Sequence, residues 1–385
     1  MRASAAVRRH DSKFGPQDPG PVSVGRVNGA GAGLADPGAL PGAIEAGLAG
    51  AGVPTLTAGM RRLMAAYRSG ESLARPVLTT RTDAAAYAAY RMPATAAAAV
   101  RALQETRRSL PRWTPATLLD FGAGTGSMAF AAAVQLPSVT AMTLLEQSAE
   151  AMRLGRSILA ATGLPVLRTA TWRTWRLPEG AGSFDRDGGL AADLATVSYV
   201  LGELTPSQQA ALVQLAAWAA SAVVLVEPGT PAGHRRILAA RGQLLAAGYV
   251  LAAPCPHELS CPLQAQGDWC HFGARLPRSA LHRQVKGAEL GYEDEKYSYV
   301  AAIREDLARR VQPDKPPGRI VRRPQQRKGL VTLEVCRQDG SAGQELIGKG
   351  AGETYRRARK ASWGEGFIAG SFAGEGDRTP SADQT

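Results

Sequence analysis

The sequence Asp120-Phe121-Gly122-Ala123-Gly124-Thr125-Gly126 follows directly on a short apolar run, residues 116–121, which we predict to be a β-strand. A glycine-rich turn after a strand lets the backbone approach a bound nucleoside closely, at the sheet edge where such folds bind ligands. A dinucleotide-binding fingerprint would need glycine at position 127, where Ser127 stands. We therefore interpret this glycine loop as a nucleoside-binding turn that differs from the dinucleotide-binding fingerprint.

Strands and helices alternate after the glycine loop. We predict helices at residues 127–135 and 148–162, from near Ser207, and from His234 to residue 247. We predict strands at residues 139–145, 190–199, 222–226, 250–253, 271–276 and 330–336, of which 250–253 and 271–276 would form a last hairpin. Such alternation predicts a parallel sheet covered by helices on both faces, an α/β fold.

The second predicted strand leads into Glu146, twenty residues after Gly126. An acidic side chain at this strand end can accept hydrogen bonds from both hydroxyls of a ribose. The acidic residue with its three alternate glycines resembles motif I of class I S-adenosylmethionine (SAM) dependent methyltransferases, whose sheet is Rossmann-like. The resemblance implies that SAM binds at Asp120, Gly122, Gly124 and Gly126, with Glu146 on the ribose.

The segment at the end of the predicted strand 190–199, which corresponds to the end of the superfamily's fourth strand, identifies no catalytic residue. Amino-methylating members of that superfamily carry Asn/Asp-Pro-Pro-aromatic there, whereas residues 198–204 read Ser-Tyr-Val-Leu-Gly-Glu-Leu. No cysteine lies nearby to act as the nucleophile of a 5-methylpyrimidine enzyme. Glu203 is open to two interpretations, a base or polar wall of the site and a plain helix-start carboxylate, and we prefer the second.

The chain contains four cysteines, Cys255, Cys261, Cys270 and Cys336. They can converge if the strand ending at Cys336 lies beside the predicted last hairpin. Four thiolates can hold tetrahedral zinc or an iron–sulfur cluster. The loose spacing suits a bulkier cluster better than the short knuckles of zinc sites, but zinc and unpaired buried cysteines stay open. His257 and His271 are possible substitutes for a cysteine ligand.

Several quoted stretches together resemble the ribosomal small-subunit methyltransferase-like family, over about residues 86–363. They are Tyr90-Arg91-Met92-Pro93, Glu227-Pro228-Gly229-Thr230-Pro231, Pro254-Cys255-Pro256-His257, Cys261-Pro262-Leu263, Asp268-Trp269-Cys270-His271-Phe272 and Tyr292-Glu293-Asp294-Glu295-Lys296-Tyr297-Ser298-Tyr299. Members of this family are mitochondrial factors for small-subunit assembly and translation, with bacterial relatives. The resemblance implies that Cys255, Cys261, Cys270 and Cys336 bind a [4Fe–4S] cluster.

Positive charge is concentrated in the last third of the chain. Of the formal net charge of +12, most arises between residues 271 and 360, where Lys and Arg outnumber Asp and Glu nearly two to one. Five cations precede the Cys336 strand in a predicted hairpin: Arg319, Arg322, Arg323, Arg327 and Lys328. Five more are candidates to extend the surface: Lys286, Arg356, Arg357, Arg359 and Lys360. Such a cluster predicts contacts with RNA phosphates, and Tyr297 and Tyr299 could stack on bases or lie in the core.

Composition predicts the outline of the chain. We expect a disordered extension at 1–38, a helical region at 39–115, and a methyltransferase-like domain at 116–340 with a cysteine insertion (254–271) and a basic hairpin (319–337). A basic, partly disordered tail would follow at 341–385. The residues before Gly50 contain no continuous apolar segment typical of a secretory signal, and the run 210–226 is too short for a membrane span. We therefore expect a cytoplasmic protein without membrane or DNA partners, where reduced thiols favour a metal site.

Two functions fit these patterns. One is an enzyme that transfers a methyl group from SAM to small-subunit rRNA, favoured by the intact loop and Glu146. The other is a non-catalytic assembly or translation factor that uses SAM and the cluster as structural elements, favoured by the missing catalytic tetrapeptide.

Overall fold

A computed structural model describes residues 36–68, 78–177 and 190–367, which build two β-sheets and the helices that cover them. The predicted disordered extension lies almost wholly outside the described residues, as does the end of the predicted tail. Among the described residues, no helix is both long and apolar enough to cross a bilayer.

The helices are, in chain order, α1 (Ala39–Gly47), α2 (Val53–Arg68), α3 (Arg81–Tyr90), α4 (Met92–Ser109), α5 (Ser127–Gln135), α6 (Ala149–Ala161), α7 (Pro165–Arg168), α8 (Pro206–Ala219), α9 (Pro231–Ala246), α10 (Pro262–Ala265), α11 (Ala280–Lys286), α12 (Glu305–Val311) and α13 (Glu353–Ala358). The strands are β1 (Thr117–Phe121), β2 (Ala141–Glu146), β3 (Thr171–Thr174), β4 (Ala192–Ser198), β5 (Ala220–Pro228), β6 (Tyr249–Ala253), β7 (Phe272–Pro277), β8 (Tyr292–Arg304), β9 (Gly318–Ile320), β10 (Gln325–Arg327), β11 (Leu330–Arg337), β12 (Ala342–Gly348) and β13 (Gly366–Phe367).

The large sheet has the order β3-β2-β1-β4-β5-β8-β6, with β7 also paired to β8. Strands β1 to β5 are parallel, which confirms the predicted α/β alternation, whereas β8 is antiparallel to β5, β6 and β7. The strand order reverses between β1 and β4, so a crevice opens there at the carboxyl ends of the strands. The glycine loop follows β1 and therefore lies at this switch point.

The prediction that β6 and β7 pair with each other as a last hairpin is wrong. Both strands pair with β8 instead, β7 with its first half at Tyr292–Tyr297 and β6 with its second half at Ala301–Arg304. We did not predict β8 from the sequence, although it is the longest strand and occupies the middle of this half of the sheet. The cysteine loop consequently lies at a junction of three strands.

The small sheet has the order β10-β11-β9-β13, and β12 pairs with the other edge of β11. Strands β10 and β11 form the predicted basic hairpin, in which Arg327 faces Leu330 across a two-residue turn. Gly329 in this turn has φ +78°, a left-handed conformation that glycine adopts without strain. Residues 341–367, predicted as the start of a loose tail, instead form β12, α13 and β13.

Of the four helices before β1, α4 packs directly on the large sheet. Helix α4 contacts α5, β7 and β8, while α2 contacts α3 and α11. The alanines of α4 other than Ala97 are almost fully buried, because small side chains let α4 approach α5 and the sheet closely. Pro93 lies in the first turn of α4, where a proline needs no backbone donor.

Candidate functional site

The glycine loop forms a narrow turn at the end of β1. Gly122, Gly124 and Gly126 have φ values of +70°, +55° and +93°, in the left-handed region. A Cβ on Gly122 would lie 2.5 Å from Val200 Cγ2, and one on Gly126 would lie 2.6 Å from Leu159 Cδ1, whereas a Cβ on Gly124 would meet nothing within 4 Å. Two glycines are thus required by packing, and the third faces open space where a ligand can approach.

Glu146 at the end of β2 is joined to this loop. Its carboxylate accepts hydrogen bonds from the backbone N–H of Gly124 and of Ser148, both at 2.8 Å. Burial raises the pKa of Glu146, and these backbone donors oppose that rise. The structure therefore brings together the loop and the carboxylate that we assigned to a ribose, and Glu146 also holds the loop in place.

Asp120 lies beneath the loop and is almost fully buried. One carboxylate oxygen accepts a hydrogen bond from Thr196 Oγ1 at 2.7 Å, and the other, Oδ2, has no partner within the described residues. Burial, with repulsion from Glu146, raises the pKa of Asp120 to about 7. A buried acceptor without a donor is costly, so a donor or cation from a ligand would be favoured here.

A cavity, which we call the cofactor cavity, opens above this turn. Its walls include six side chains of mixed character: Leu78, Tyr87, Glu146, Trp175, Tyr199 and Glu203. Aromatic and apolar walls with a few convergent polar groups are typical of small-molecule sites. The residues present fit a nucleoside with a charged tail, the chemistry of SAM.

Tyr199 follows β4 at the edge of this cavity and has φ +60°, which is rare for a bulky residue. Its hydroxyl donates to Glu295 Oε1 at 3.1 Å, and Arg91 donates to both Glu295 oxygens at 3.0 and 3.3 Å. The Arg91 guanidinium also lies 5.4 Å from the Tyr199 ring centroid. We did not predict this network, although Arg91 and Glu295 both lie in motifs that we quoted.

Glu203 does not begin a helix. It belongs to a 3-10 turn, Leu201–Glu203, and lines the cofactor cavity, while α8 starts later and is capped by Thr205. The preferred interpretation as a helix-start carboxylate is therefore wrong, and Glu203 is part of the polar wall.

All four cysteines line a second cavity, which we call the cysteine cavity. None of the four forms a disulfide. Within the described residues, no three His, Cys, Asp or Glu side chains are arranged to hold a single metal ion. Burial raises the pKa of Cys255, Cys270 and Cys336, that of Cys336 to about 12, and the Arg241 guanidinium opposes the rise for Cys255.

The loop that carries the first three cysteines is fixed on both sides. Trp269 Nε1 donates to the Gly229 carbonyl at 3.0 Å, and Ser298 Oγ donates to the Cys270 carbonyl at 2.8 Å. His257 Nε2 lies 3.4 Å from Cys336 Sγ, so this histidine joins the loop to β11. The ring of His271 stacks on Trp269 at 5.2 Å between centroids. Of the two histidines, only His257 lines the cysteine cavity.

Two of the predicted RNA-binding cations are engaged inside the protein. Arg319 is only 2% exposed and pairs with Glu105 at 2.6 Å, so it cannot reach a phosphate, and its placement on the RNA surface is corrected. Arg322 pairs with Asp268 and donates to the Trp269 carbonyl at 3.1 Å, which holds the cysteine loop against the small sheet.

The remaining cations of the hairpin are exposed. Arg323, Arg327 and Lys328 stand on the surface of β10 and its turns. The side chain of Gln326 donates to the Arg359 carbonyl at 2.8 Å, so the hairpin lies beside the end of α13. This basic face has seven exposed cations: Arg323, Arg327, Lys328, Arg356, Arg357, Arg359 and Lys360.

Three further residues do not belong to that face. Lys286 pairs with Glu293 and stands over the Tyr90 ring at 4.5 Å. Tyr297 and Tyr299 are each 3% exposed and pack against one another in the core, so they cannot stack on bases.

Comparison with known proteins adds a family and a few relatives. The sequence model of the family described as "Mitochondrial small ribosomal subunit Rsm22" matches residues 81–368. The human protein "Ribosome assembly protein METTL17, mitochondrial" is 29% identical over 300 residues, which cover 72% of this chain and 61% of that protein. The Schizosaccharomyces pombe protein "Rsm22-cox11 tandem protein 2, mitochondrial" is 28% identical over 181 residues, which cover 38% of this chain and 24% of that protein. The chain thus spans about three fifths of the human relative and about a quarter of the yeast one.

Two solved structures illustrate the likeness of the fold. An O-methyltransferase family protein from Burkholderia thailandensis is 15% identical with a TM-score of 0.40, covering 65% of this chain and 71% of that one. The plantazolicin methyltransferase BpumL, solved in complex with SAH, is 12% identical with a TM-score of 0.32, covering 68% of this chain and 94% of that one. Because these TM-scores are low, we describe the fold by the strand order of the large sheet and by its glycine loop, and not by superposition on these two structures.

Proposed function

Because the chain belongs to the family of the mitochondrial small ribosomal subunit protein Rsm22, we propose that it acts on the small ribosomal subunit as a SAM-binding, methyltransferase-like protein. The matched region, residues 81–368, includes the cysteine cavity, the basic face and, except for Leu78, the walls of the cofactor cavity. All three features therefore belong to the part of the chain that the family shares.

The observation that carries SAM binding is the convergence of Gly122, Gly124 and Glu146 on one cavity, with Glu146 bonded to the Gly124 backbone. Glu146 has acceptor capacity left for ribose hydroxyls, since a carboxylate offers about four lone-pair positions and two are used. The open side of Gly124 admits the nucleoside. When bound, SAM supplies an electrophilic methyl group.

Cofactor and target would be oriented by the polar wall of the same cavity. Glu203 and Tyr199 stand there, but Tyr199 is tied to Glu295, and no residue is assigned as the catalytic base. The sequence of residues 198–204, which differs from the catalytic tetrapeptide of amino-methylating enzymes, supports a second candidate. This candidate is a non-catalytic assembly factor in which SAM and the cluster stabilise the shape that binds the subunit.

We also propose that Cys255, Cys261, Cys270 and Cys336 hold a [4Fe–4S] cluster, with zinc as the alternative. Support comes from the four free thiols that line one cavity although sixty-five residues separate Cys270 from Cys336. A bound centre would cross-link the loop to β11 and hold the adjoining basic face. Free thiols suit a reducing compartment, and we propose a cytoplasmic location.

The basic face is proposed to contact small-subunit rRNA. Its seven cations are exposed, and such contacts to phosphates give affinity without sequence choice. Specificity for one site would then come from the fit of the whole subunit surface.

A methyl-transfer assay tests the two candidate functions directly. Immature small subunits from cells that lack the protein would be incubated with radiolabelled SAM and the purified protein, and any labelled nucleotide would be mapped. Label that appears with wild type and disappears with Glu146→Ala supports the enzyme. Co-sedimentation with subunits that stay unlabelled supports the assembly factor, and the loss of both signals would refute a role at the subunit.

A further inference from the structure

Arg241, on the third turn of α9, is a buried cation that has no role in the proposed function. It is 7% exposed and lines the cysteine cavity. Its Nη2 donates to the carbonyl of His257 at 3.2 Å and to that of Leu259 at 2.7 Å. Its Nε is buried and has no partner within the described residues.

The charge of Arg241 is not neutralised, in contrast to its buried neighbours. Arg319 pairs with Glu105, and Arg236 on the same helix pairs with Glu227 at 2.7 Å. In the part of the chain that the structure describes, no carboxylate forms an ion pair with Arg241; its acceptors are the two neutral carbonyls. A guanidinium stays protonated in proteins, and an uncompensated buried charge destabilises a fold strongly. An anion therefore belongs beside it.

The groups that can become anionic beside Arg241 are the thiols of the same cavity. Neutral thiols do not offset a positive charge. Four thiolates around a divalent ion, or around a cluster core of charge +2, carry a net charge of about −2, since each thiolate contributes −1. Such a centre would supply the missing counter-charge.

We infer that Arg241 is the counter-cation of an anionic four-thiolate centre in the cysteine cavity. The inference rests on the proposed function, because it needs a metal centre to be present. Arg241 lines the cavity that the thiolates would surround, and its Nε–H has no partner among the described residues. Its Nη2 fixes the loop between Cys255 and Cys261 through two carbonyls. Arg241 is thus a positioning residue, which favours the loaded state through its charge and holds the ligand loop through its hydrogen bonds.

A double comparison of loaded and metal-free protein tests this role. Thermal unfolding would be measured for wild type, Arg241→Met, Arg241→Lys and the control Arg235→Met, which removes an exposed arginine from the same helix. We expect metal loading to raise the Tm clearly less for Arg241→Met than for wild type. In the metal-free wild type the unpaired charge of Arg241 lowers the Tm, whereas in the loaded protein the metal centre compensates this charge. The variant removes the charge and therefore loses this difference. Arg241→Lys should restore most of the rise, and Arg235→Met should behave as wild type.

A second readout uses the metal centre itself. In Arg241→Met, a chelator should remove the metal several-fold faster, and an iron–sulfur centre should have a more negative reduction potential, since positive charge near a cluster favours its reduced form. An equal rise in Tm and an equal rate of metal loss in Arg241→Met and wild type would overturn the inference while leaving the centre intact. Wild-type protein that binds neither iron nor zinc would refute the proposed centre and the inference with it.

Discussion

At the scale of single residues, Glu146 has two roles. It holds the glycine loop through the backbone of Gly124, and we propose that it binds the ribose of the cofactor. Replacing it by alanine removes the acceptor for Gly124 and for a ribose, and each charged hydrogen bond contributes about 1.5–3 kcal/mol at most. We expect Glu146→Ala to bind SAM at least tenfold more weakly in calorimetry. The control Glu150→Ala removes a more exposed carboxylate from the neighbouring α6 and should leave the affinity unchanged. Unchanged affinity in Glu146→Ala would remove Glu146 from the cofactor site.

Asp120 predicts a pH dependence of stability. Its folded pKa of about 7 lies above the ordinary value of 3.8, so the neutral form stabilises the fold fully below about pH 4. This contribution is lost as the pH rises through about 7, and three pKa units correspond to roughly 4 kcal/mol. We expect the unfolding free energy of Asp120→Asn to exceed that of wild type increasingly between pH 4 and 7. Denaturant titrations check this, with exposed Asp306→Asn as the control; parallel pH profiles for all three proteins would contradict it.

Sequence reasoning named residues that the structure brings together, but it did not predict their partners. Gly122, Gly124 and Glu146 were predictable because the loop and the strand end are local features with a known physical use. The bond from Arg91 to Glu295 joins residues 204 positions apart, and no local pattern predicts such a pair. Arg319 was misplaced for the same reason, since an arginine that is buried against a distant glutamate looks like any other cation in a basic segment.

At the scale of elements, the hairpin of β10 and β11 carries the proposed RNA contact. Replacing Arg323, Arg327 and Lys328 by alanine should weaken rRNA binding and reduce the slope of log K against log salt by about 2–3, because each phosphate contact releases counterions. Filter binding over a range of salt concentrations measures this slope. The matched control removes three exposed arginines around α12: Arg304, Arg309 and Arg310. An unchanged slope in the hairpin variant would place the RNA surface elsewhere.

Helices were predicted more accurately than strands. The predicted helix at residues 127–135 coincides with α5, and α6 begins one residue after its cap Ser148, because caps and apolar spacing mark helices locally. Strand β8 was missed because its first half reads Tyr-Glu-Asp-Glu-Lys, a charged stretch typical of a surface segment. Its strand conformation depends on pairing with β5, β6 and β7, which are distant in sequence.

At the scale of the whole molecule, the four cysteines connect a loop of the large sheet with a strand of the small one. A [4Fe–4S] centre would tie the cysteine loop of the large sheet to Cys336 in the small one, and binding to a site that is absent in the unfolded chain adds to stability. Protein purified without oxygen should be brown and contain about four irons and four acid-labile sulfides per chain. Cys270→Ser should lose iron, thermal stability and RNA affinity together.

Two other outcomes separate the parts of this prediction. Colourless protein with one zinc per chain would replace the cluster by the alternative metal and keep the cross-link. Metal-free protein of undiminished stability, prepared with oxygen excluded, would contradict the whole account of the cysteine cavity.

The place of β8 in the large sheet has a consequence for synthesis of the chain. Strand β6 ends at Ala253, but its partner among the described strands, β8, ends 51 residues later at Arg304. At about 5–20 residues per second, a ribosome needs roughly 3–10 s to cover that distance. Throughout this interval β6 is an unpaired strand edge on the nascent chain, and the thiols of the cysteine loop wait a further 32 residues, from Arg304 to Cys336, for the fourth. In this period aggregation and oxidation compete with folding. Chaperone binding and metal delivery would therefore matter most in the seconds that follow the synthesis of β6 and of the cysteine loop.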